Sequence, residues 1–396
     1  MTAYPIPAPG EHIYDTHARL RSIGPVVPAE LPGEVAVWAV TTHAAAHEVL
    51  GNDKVYARSA RHWTALHDGT IPADWPFRPF IEGENFLMQD GLDHRRIRGL
   101  INKAFTSARV AALAPRIREI AESLLDDVAA AGDGVDLVPA FGEALPMRVI
   151  CELFGIPEPE RARFRTWTTM VMAAGEGSVQ AGQAMIAYLT RFADQRREDP
   201  RDDLTSMLIN AQRDGEVTLS DAELAGLLWV FVLAGHETTI HLLGNAVLAL
   251  SLHPDQRDLA VRDGMWAQVV EETLRRYPSI ATLMLRYTTQ DTVLAGVGLP
   301  AGDALLISLS ATLTDPGRHG SGAGRFDITR AQRPGLAFGH GPHFCLGAPL
   351  ARLEGAIALA ALYERFPKLR IAVDPGELVY NSFATTGPAS LPVHLT

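Results

Sequence analysis

Between Pro25 and Val40 the chain reads PVVPAELPGEVAVWAV, with apolar residues alternating on either side of a Pro-Gly pair. That is the pattern of a β-hairpin. From Thr42 to about Tyr277 the pattern is mostly helical, with long stretches such as RVAALAPRIREIAESLLDDVAAAG ending in glycine, a common helix stop. Short strands return in DTVLAGVGLPAGDALLIS, and a last helix is predicted from just after Cys345 towards Phe366. The longest apolar run, LAGLLWVFVLAG at 224–235, lies in a helix predicted to start at the capping box Ser220-x-x-Glu223 and to stop at Pro254. The fold class read from this is mainly α with small β-sheets.

Composition narrows the class. Hydrophobic residues make up 47% of the chain and charged residues 20%, enough apolar surface for a large core. A formal charge of −11 argues against nucleic acid as the main partner. MTAYPIPAPGEH lacks the basic start and apolar run of a signal peptide. The apolar run at 224–235 falls short of the roughly 20 residues that span a bilayer. The expectation is a cytoplasmic protein without a membrane partner. Two cysteines give no disulfide framework and no cysteine-rich metal site. Length allows two or three domains at about 150 residues each, yet no linker, repeat or low-complexity tract divides the chain.

Cys151 lies in the apolar run MRVICELFGI and reads as a small buried hydrophobe. Cys345 lies in AFGHGPHFCLG, among glycines and histidines that do not build a dry core. It stands at the mouth of the last helix, with Pro349 in the first turn. A helix N-terminus stabilises a thiolate, and Gly339, Gly341 and Gly347 permit close backbone approach. Spacing alone leaves open a metal or haem ligand and a catalytic nucleophile served by His340 or His343.

The stretch FGHGPHFCLGAPLARLE resembles the haem-binding signature of the cytochrome P-450 superfamily, Phe-x-x-Gly-x-His/Arg-x-Cys-x-Gly, with the Leu350-Ala351-Arg352 continuation of bacterial members. Three further motifs match in order, so the resemblance runs from about Pro25 to the C-terminus. It implies a cytochrome P-450 fold with a long central helix over haem. Residues 1–396 would form one domain, with a small β-rich part near the N-terminus and a helical haem-binding body. Cys345 would be the proximal thiolate on the iron of haem b, the ligand that favours O–O cleavage. Phe338 and Gly347 would lie beside it, and His343 would reach a propionate.

The first further motif is AGHETT. Read without the resemblance, it is a bent helix whose threonines bond back to carbonyls four residues earlier. The resemblance implies that Ala234 and Gly235 leave room for dioxygen, that Glu237 and Thr238 deliver protons, and that His236 faces away. The second is EETLRRY, where Glu272 and Arg275 share a helix face. An exposed ion pair is worth little, but the resemblance implies a buried pair, with Arg325 as the expected third partner. The third is DHRRIRGLINKAFTSARV, where His94, Arg95, Arg96, Arg98, Lys103 and Arg109 fall together. A solvated helix face would explain some of them. The resemblance assigns His94 and Arg98 to a haem propionate, with Arg286 of LMLRYTTQD as another partner. The remaining cations would dock an acidic electron donor.

These motifs imply a monomeric haem-thiolate monooxygenase. It would take electrons from a ferredoxin or flavodoxin, use O2 and hydroxylate a small apolar secondary metabolite. Oxidative coupling or ring closure with the same oxidant is the alternative enzyme reading. A non-catalytic haem sensor and a cysteine hydrolase are readings from other classes; the Glu237-Thr238 pair disfavours the sensor. Specificity is expected in the segments 59–89, 166–179, 279–285 and 381–386, where Trp63, Trp75, Phe77, Phe80, Phe86, Trp167, Met170 and Met172 stand. Most of these are expected to be core, and two or three to touch a ligand.

Overall fold

The hairpin forms: β2 (Val26–Leu31) and β3 (Val35–Val40) pair antiparallel, from Val26 opposite Val40 to Leu31 opposite Val35. The turn between them needs two positive φ angles, 86° at Gly33 and 61° at Glu34. A short β1 (Tyr4–Pro5) precedes the hairpin, and β4 (Tyr56–Ala57) follows it. The later strands are β5 (Thr282–Thr288), β6 (Thr292–Leu294), β7 (Val297–Leu299) and β8 (Ala304–Ser308). A six-stranded sheet runs β1-β2-β3-β8-β5-β4, while β6 and β7 form their own hairpin. Register slips between Leu283 and Arg286 in β5, the bulge just before Arg286. The computed structural model describes residues 3–7, 10–82, 85–172, 175–213, 219–331, 335–382 and 384–396.

The chain divides into two compact units. The first comprises residues 1–94, 245–345 and 376–389 and holds the six-stranded sheet. One core of this unit joins sheet residues such as Val27, Val37 and Leu306 to Trp63, Leu66 and Trp75. Another joins Val40, Leu305 and Ile307 to Val49 and Leu50 of the helix His43–Gly51. Burying each such side chain contributes roughly 1.5–3 kcal/mol.

The second unit comprises residues 95–244, 346–375 and 390–396 and is built mostly from helices. The stretch expected as one helix from Arg109 is two, Ser107–Ala112 and Ala114–Ala131. Pro115 explains the break: it stands in the first turn of the second helix, the one place where its missing N–H costs nothing. Gly132 stops that helix as expected. The last helix, Ala348–Arg365, packs on Ala114–Ala131. A buried pair, Arg196 Nε to Asp203 Oδ2 at 2.6 Å, ties the helix Ser178–Glu198 to the chain beyond it. The same arginine donates to Gly155 O at 2.7 Å.

The apolar run lies in a helix of 32 residues, Asp221–Leu252. Its capping box closes as read: Ser220 N–H donates to Glu223 Oε2 at 2.8 Å, and Glu223 N–H to Ser220 Oγ at 3.1 Å. Pro254 opens the next helix. Asp221–Leu252 is long and apolar enough to cross a membrane, but more than half of its most apolar window is buried inside the protein. A helix apolar on every side is at home in a large core.

Candidate functional site

The cysteine loop folds back on itself. Cys345 N–H donates to Phe338 O at 2.9 Å, Gly339 N–H to Leu336 O at 2.8 Å, and Phe344 N–H to Gly341 O at 3.0 Å. Gly339 and Gly341 have φ of 74° and 73°. A side chain on Gly341 would meet Leu50 O and stand 3.1 Å from Gly51 Cα, so the loop lies directly on the helix His43–Gly51. His340 stacks on His47 there, ring centroids 3.9 Å apart. Gly347, just before the last helix, has φ of −74°, which any residue can adopt, so backbone freedom does not explain it. Cys345 is exposed, three residues before that helix begins. Cys151 is the opposite case: burial pushes its thiol up to about 12, and its Sγ lies 3.6 Å from Met147 Sδ.

Histidine and arginine side chains of the first unit gather at this loop. His94 and His343 stack with centroids 4.1 Å apart, and Phe86 lies parallel to His94 at 6.3 Å. Both ring nitrogens of His343 are buried without a hydrogen bond among the described residues; the carboxylate Oδ1 of Asp90 is 3.9 Å from Nε2. Burial holds this imidazole down to about 4, against the pull of Asp90. Arg286 is 6% exposed, and burial together with Arg58 lowers it to about 9. Arg98 follows His94 by four residues on the helix Gly91–Ala104 and is half-buried.

The sequence reading missed two members of this cluster, Arg58 and Asp90. Arg58 directly follows β4, donates from Nε to Leu87 O at 3.0 Å and from Nη1 to Leu285 O at 2.7 Å, and is buried enough to fall to about 10. Asp90 accepts the amides of Arg58 at 2.7 Å and Ser59 at 2.8 Å. Burial works to raise its carboxyl, but those amides and His343 outweigh it and hold it below the usual range. The only signal in the sequence was an arginine immediately after buried strand residues in VYARSARHW. Among the described residues, two buried guanidiniums face the carboxylate of Asp90, with Asp53 a weaker influence on Arg286, and burying such charge is expensive unless an anion meets it.

The stretch of the long helix up to Gly244, in the second unit, carries the other chemistry. Its middle is buried at His236 and Thr239, whereas Ala234 is exposed and Gly235, Glu237 and Thr238 are partly so. Thr238 Oγ1 donates to Ala234 O at 2.7 Å and Thr239 Oγ1 to Gly235 O at 3.1 Å, the back-bonds to carbonyls four residues earlier that the motif suggested. A side chain on Gly235 would stand 3.1 Å from Ile150 Cδ1, so the helix Ala144–Phe154 packs close at this point. His236 turns away from Thr238 to Glu143 O, 3.2 Å from Nε2, and burial lowers it to about 4. His241, also unnoticed in the sequence, lies 3.0 Å from Glu237 Oε1 through its Nε2.

Of the sequence-predicted residues, His94, Arg286, Phe338, His343 and Cys345 belong to the first unit. Arg98, Ala234, Gly235, Glu237, Thr238 and Gly347 belong to the second. The Glu272–Arg275 pair is buried and bidentate, at 2.7 and 2.8 Å. Its third partner is Arg330, whose Nε is 3.4 Å from Glu272 Oε1, and not Arg325. Arg325 contributes its carbonyl instead, accepting from Arg275 Nη2 at 2.7 Å. The bend that lets Asp327 N–H reach Glu272 Oε1 at 2.9 Å carries Arg330 to the carboxylate.

In the basic helix, Arg96 is paired with Glu223, the capping-box glutamate, so its charge is partly spent. Arg109 donates to Ala104 O at 2.8 Å. Trp63, Trp75 and Phe86 are buried core residues, and Phe77 packs against the same core. Trp167 packs edge-on against Phe164, and Met170 is exposed. The side chains of Phe80 and Met172, and residue 383, lie outside the described residues.

The sequence profile of cytochrome P450 matches residues 163–259 and 265–384. The chain is 37% identical to a 2-hydroxy-5-methyl-1-naphthoate 7-hydroxylase of Streptomyces carzinostaticus, covering 100% of this chain and 98% of that one. It is 38% identical to the monooxygenase PikC of Streptomyces venezuelae, over 96% of this chain and 90% of that one. Among solved structures, CYP154C4 from Streptomyces sp. W2061 superimposes with a TM-score of 0.92 at 38% identity, covering 100% and 98% of the two chains. CxnD, described as forming a C–S bond in chuangxinmycin biosynthesis, gives 0.88 at 32% identity, covering 100% and 97%. With the cysteine loop, the buried cations and the AGHETT helix in place, the chain belongs to the cytochrome P450 family, an oxygen-incorporating oxidoreductase of the haem-thiolate kind.

Proposed function

We propose that this enzyme is a haem b monooxygenase that hydroxylates an apolar, polycyclic secondary metabolite with electrons from a ferredoxin or flavodoxin. The observation that carries the reading is the buried positive charge beside the Cys345 loop. Haem brings two carboxylates to such a place, and His343, with both nitrogens buried and without a hydrogen bond among the described residues, fits one of them. Cys345 would ligate the iron, and Phe338 and Gly347 would border the ligand. His94, Arg98, Arg286, His343 and the additional Arg58 would hold the propionates. When bound, the haem iron supplies the activation of dioxygen and the oxidation of the substrate.

The chain's own residues then have separable tasks. Ala234 and Gly235 keep side-chain bulk away from the middle of the helix. Thr238 donates its hydroxyl hydrogen to Ala234 O, which leaves its oxygen free to accept a hydrogen bond from water. Glu237, partly exposed, carries protons between solvent and that hydroxyl. Arg95 and Lys103 on the basic helix fit an acidic donor. The motifs are spread over both units, so the reading treats residues 1–396 as one working domain, monomeric and cytoplasmic.

The relatives' names include a naphthoate hydroxylase, and another solved CYP154C4 structure contains testosterone; both support a fused-ring substrate here. The C–S bond-forming neighbour favours a second reading, oxidative coupling. Turnover under 18O-labelled dioxygen with a ferredoxin and its reductase decides between them. Hydroxylation puts one labelled oxygen in the product. An unlabelled product joined by a new bond overturns the hydroxylase reading in favour of coupling.

A further inference from the structure

The long helix holds a carboxylate–imidazole pair that the motif match does not assign. Glu237 and His241 are four residues apart and meet at 3.0 Å. A carboxylate can only accept, so Nε2 of His241 carries the hydrogen. The imidazole is 2% exposed, and its Nδ1 is buried without a hydrogen bond among the described residues. Glu237 is therefore the one group to which the described hydrogen bonds tie this ring. We propose that His241 is the positioning residue of the Glu237–Thr238 pair, holding the carboxylate at a fixed place on the helix through the Nε2–H to Oε1 bond.

This rests on the reading of Glu237 as a proton carrier, and it has a consequence for charge. Burial works to raise the Glu237 carboxyl, but the bond from His241 and the nearby His236 outweigh it and hold it below the usual range. The other charged groups around the cluster are Glu143 and Asp136 from the neighbouring segment and Arg165 from the helix Glu158–Met172. Glu143 is raised by its own burial, with Arg165 opposing and Glu237 adding to the rise, so it is a second carboxyl near Glu237 that does nothing to keep Glu237 ionised. With His241 gone, burial of Glu237 acts against the weaker influence of His236 alone. The carboxyl then takes up a proton at higher pH and loses its fixed direction.

The test uses the haem-loaded enzyme in its reduced, carbon monoxide-bound form. Difference infrared spectra report the carboxylic C=O band of Glu237, assigned by its loss in Glu237→Gln. In His241→Leu the midpoint of that band should rise by about one pH unit or more, the scale of a lost hydrogen bond to a charged group. In His241→Gln, whose amide N–H can reach the carboxylate, it should stay near wild type. Product per reducing equivalent should fall several-fold in His241→Leu and recover in His241→Gln. If His241→Leu fails to fold, His241→Asn, too short to reach Oε1, takes its place.

An unmoved midpoint in both the leucine and the asparagine variant overturns the proposal and leaves His241 as packing. Failure of the underlying reading looks different. Glu237→Gln would then leave product per electron unchanged, whereas the infrared midpoint would still respond to His241.

Discussion

Acidification should destabilise this protein through histidines held neutral by burial, among them His17 and His236. His17 is fully enclosed in the first unit beside Ser310 Oγ, 2.6 Å away, and burial lowers it to about 3. His236 is lowered to about 4 on the long helix. Each has a folded value below the ordinary imidazole value of 6.5, so the unfolded chain binds protons first as pH falls. Stability from these groups is complete above that value and is lost from there down towards pH 4 and 3. Between pH 7 and pH 5 each ring should cost a little under about 2 kcal/mol, and the two together about 4 kcal/mol. That is a large part of the roughly 5–15 kcal/mol by which domains are stable. Urea unfolding at pH 7 and pH 5 measures it, comparing wild type with His236→Gln and His17→Gln. The His236→Gln chain keeps a side chain that can donate to Glu143 O but cannot charge, and it should lose its own share of the drop, about 2 kcal/mol. If both variants retained the full wild-type drop between the two pH values, burial of these rings would not be the cause.

Arg330→Ala should lower the urea midpoint and weaken haem retention, whereas an alanine at Arg325 should do less, because Arg325 acts through its carbonyl. Removing Glu272 should cost about 3–5 kcal/mol, the range for stranding a buried partner such as Arg275. Reversal of Arg95 should slow reduction by the donor at low salt, with the effect fading near 0.15 M where the screening length is about 8 Å. Arg96→Glu should additionally destabilise the fold, since it faces Glu223; stopped-flow reduction and urea curves separate the two effects. Thr238→Ala should leave haem and substrate binding intact while electrons pass into peroxide, and an unchanged product yield per electron would show that the helix supplies shape alone.

The fold was legible wherever one local signal decided an element. The Pro-Gly turn between β2 and β3, the Ser220–Glu223 box and the glycine after Ala131 each did so. Pro115 is equally visible but does not by itself split the stretch, because a proline in a first turn and one in a helix middle look alike until the boundary is known. The cysteine loop and the AGHETT helix were legible because their spacing is fixed by short-range chemistry. Arg58, Asp90 and Arg330 were not. They reach their partners through a strand end, a loop and a bend, and no spacing along the chain encodes those approaches. His241 stands at helical spacing from Glu237 and could have been found by asking which residue four places on could face the carboxylate. The aromatics of residues 59–89 were rightly expected to be mostly core, as Trp63 and Trp75 show.

The account stands on Cys345 as an iron-bound thiolate, and the absorption spectrum of the reduced, carbon monoxide-bound protein tests that most directly. The wild-type protein should show the red-shifted band of thiolate ligation, Cys151→Ser should show it unchanged, and Cys345→Ser should lose it or fail to hold haem. A wild-type protein without that band, or a Cys345→Ser variant that keeps it, would contradict the account.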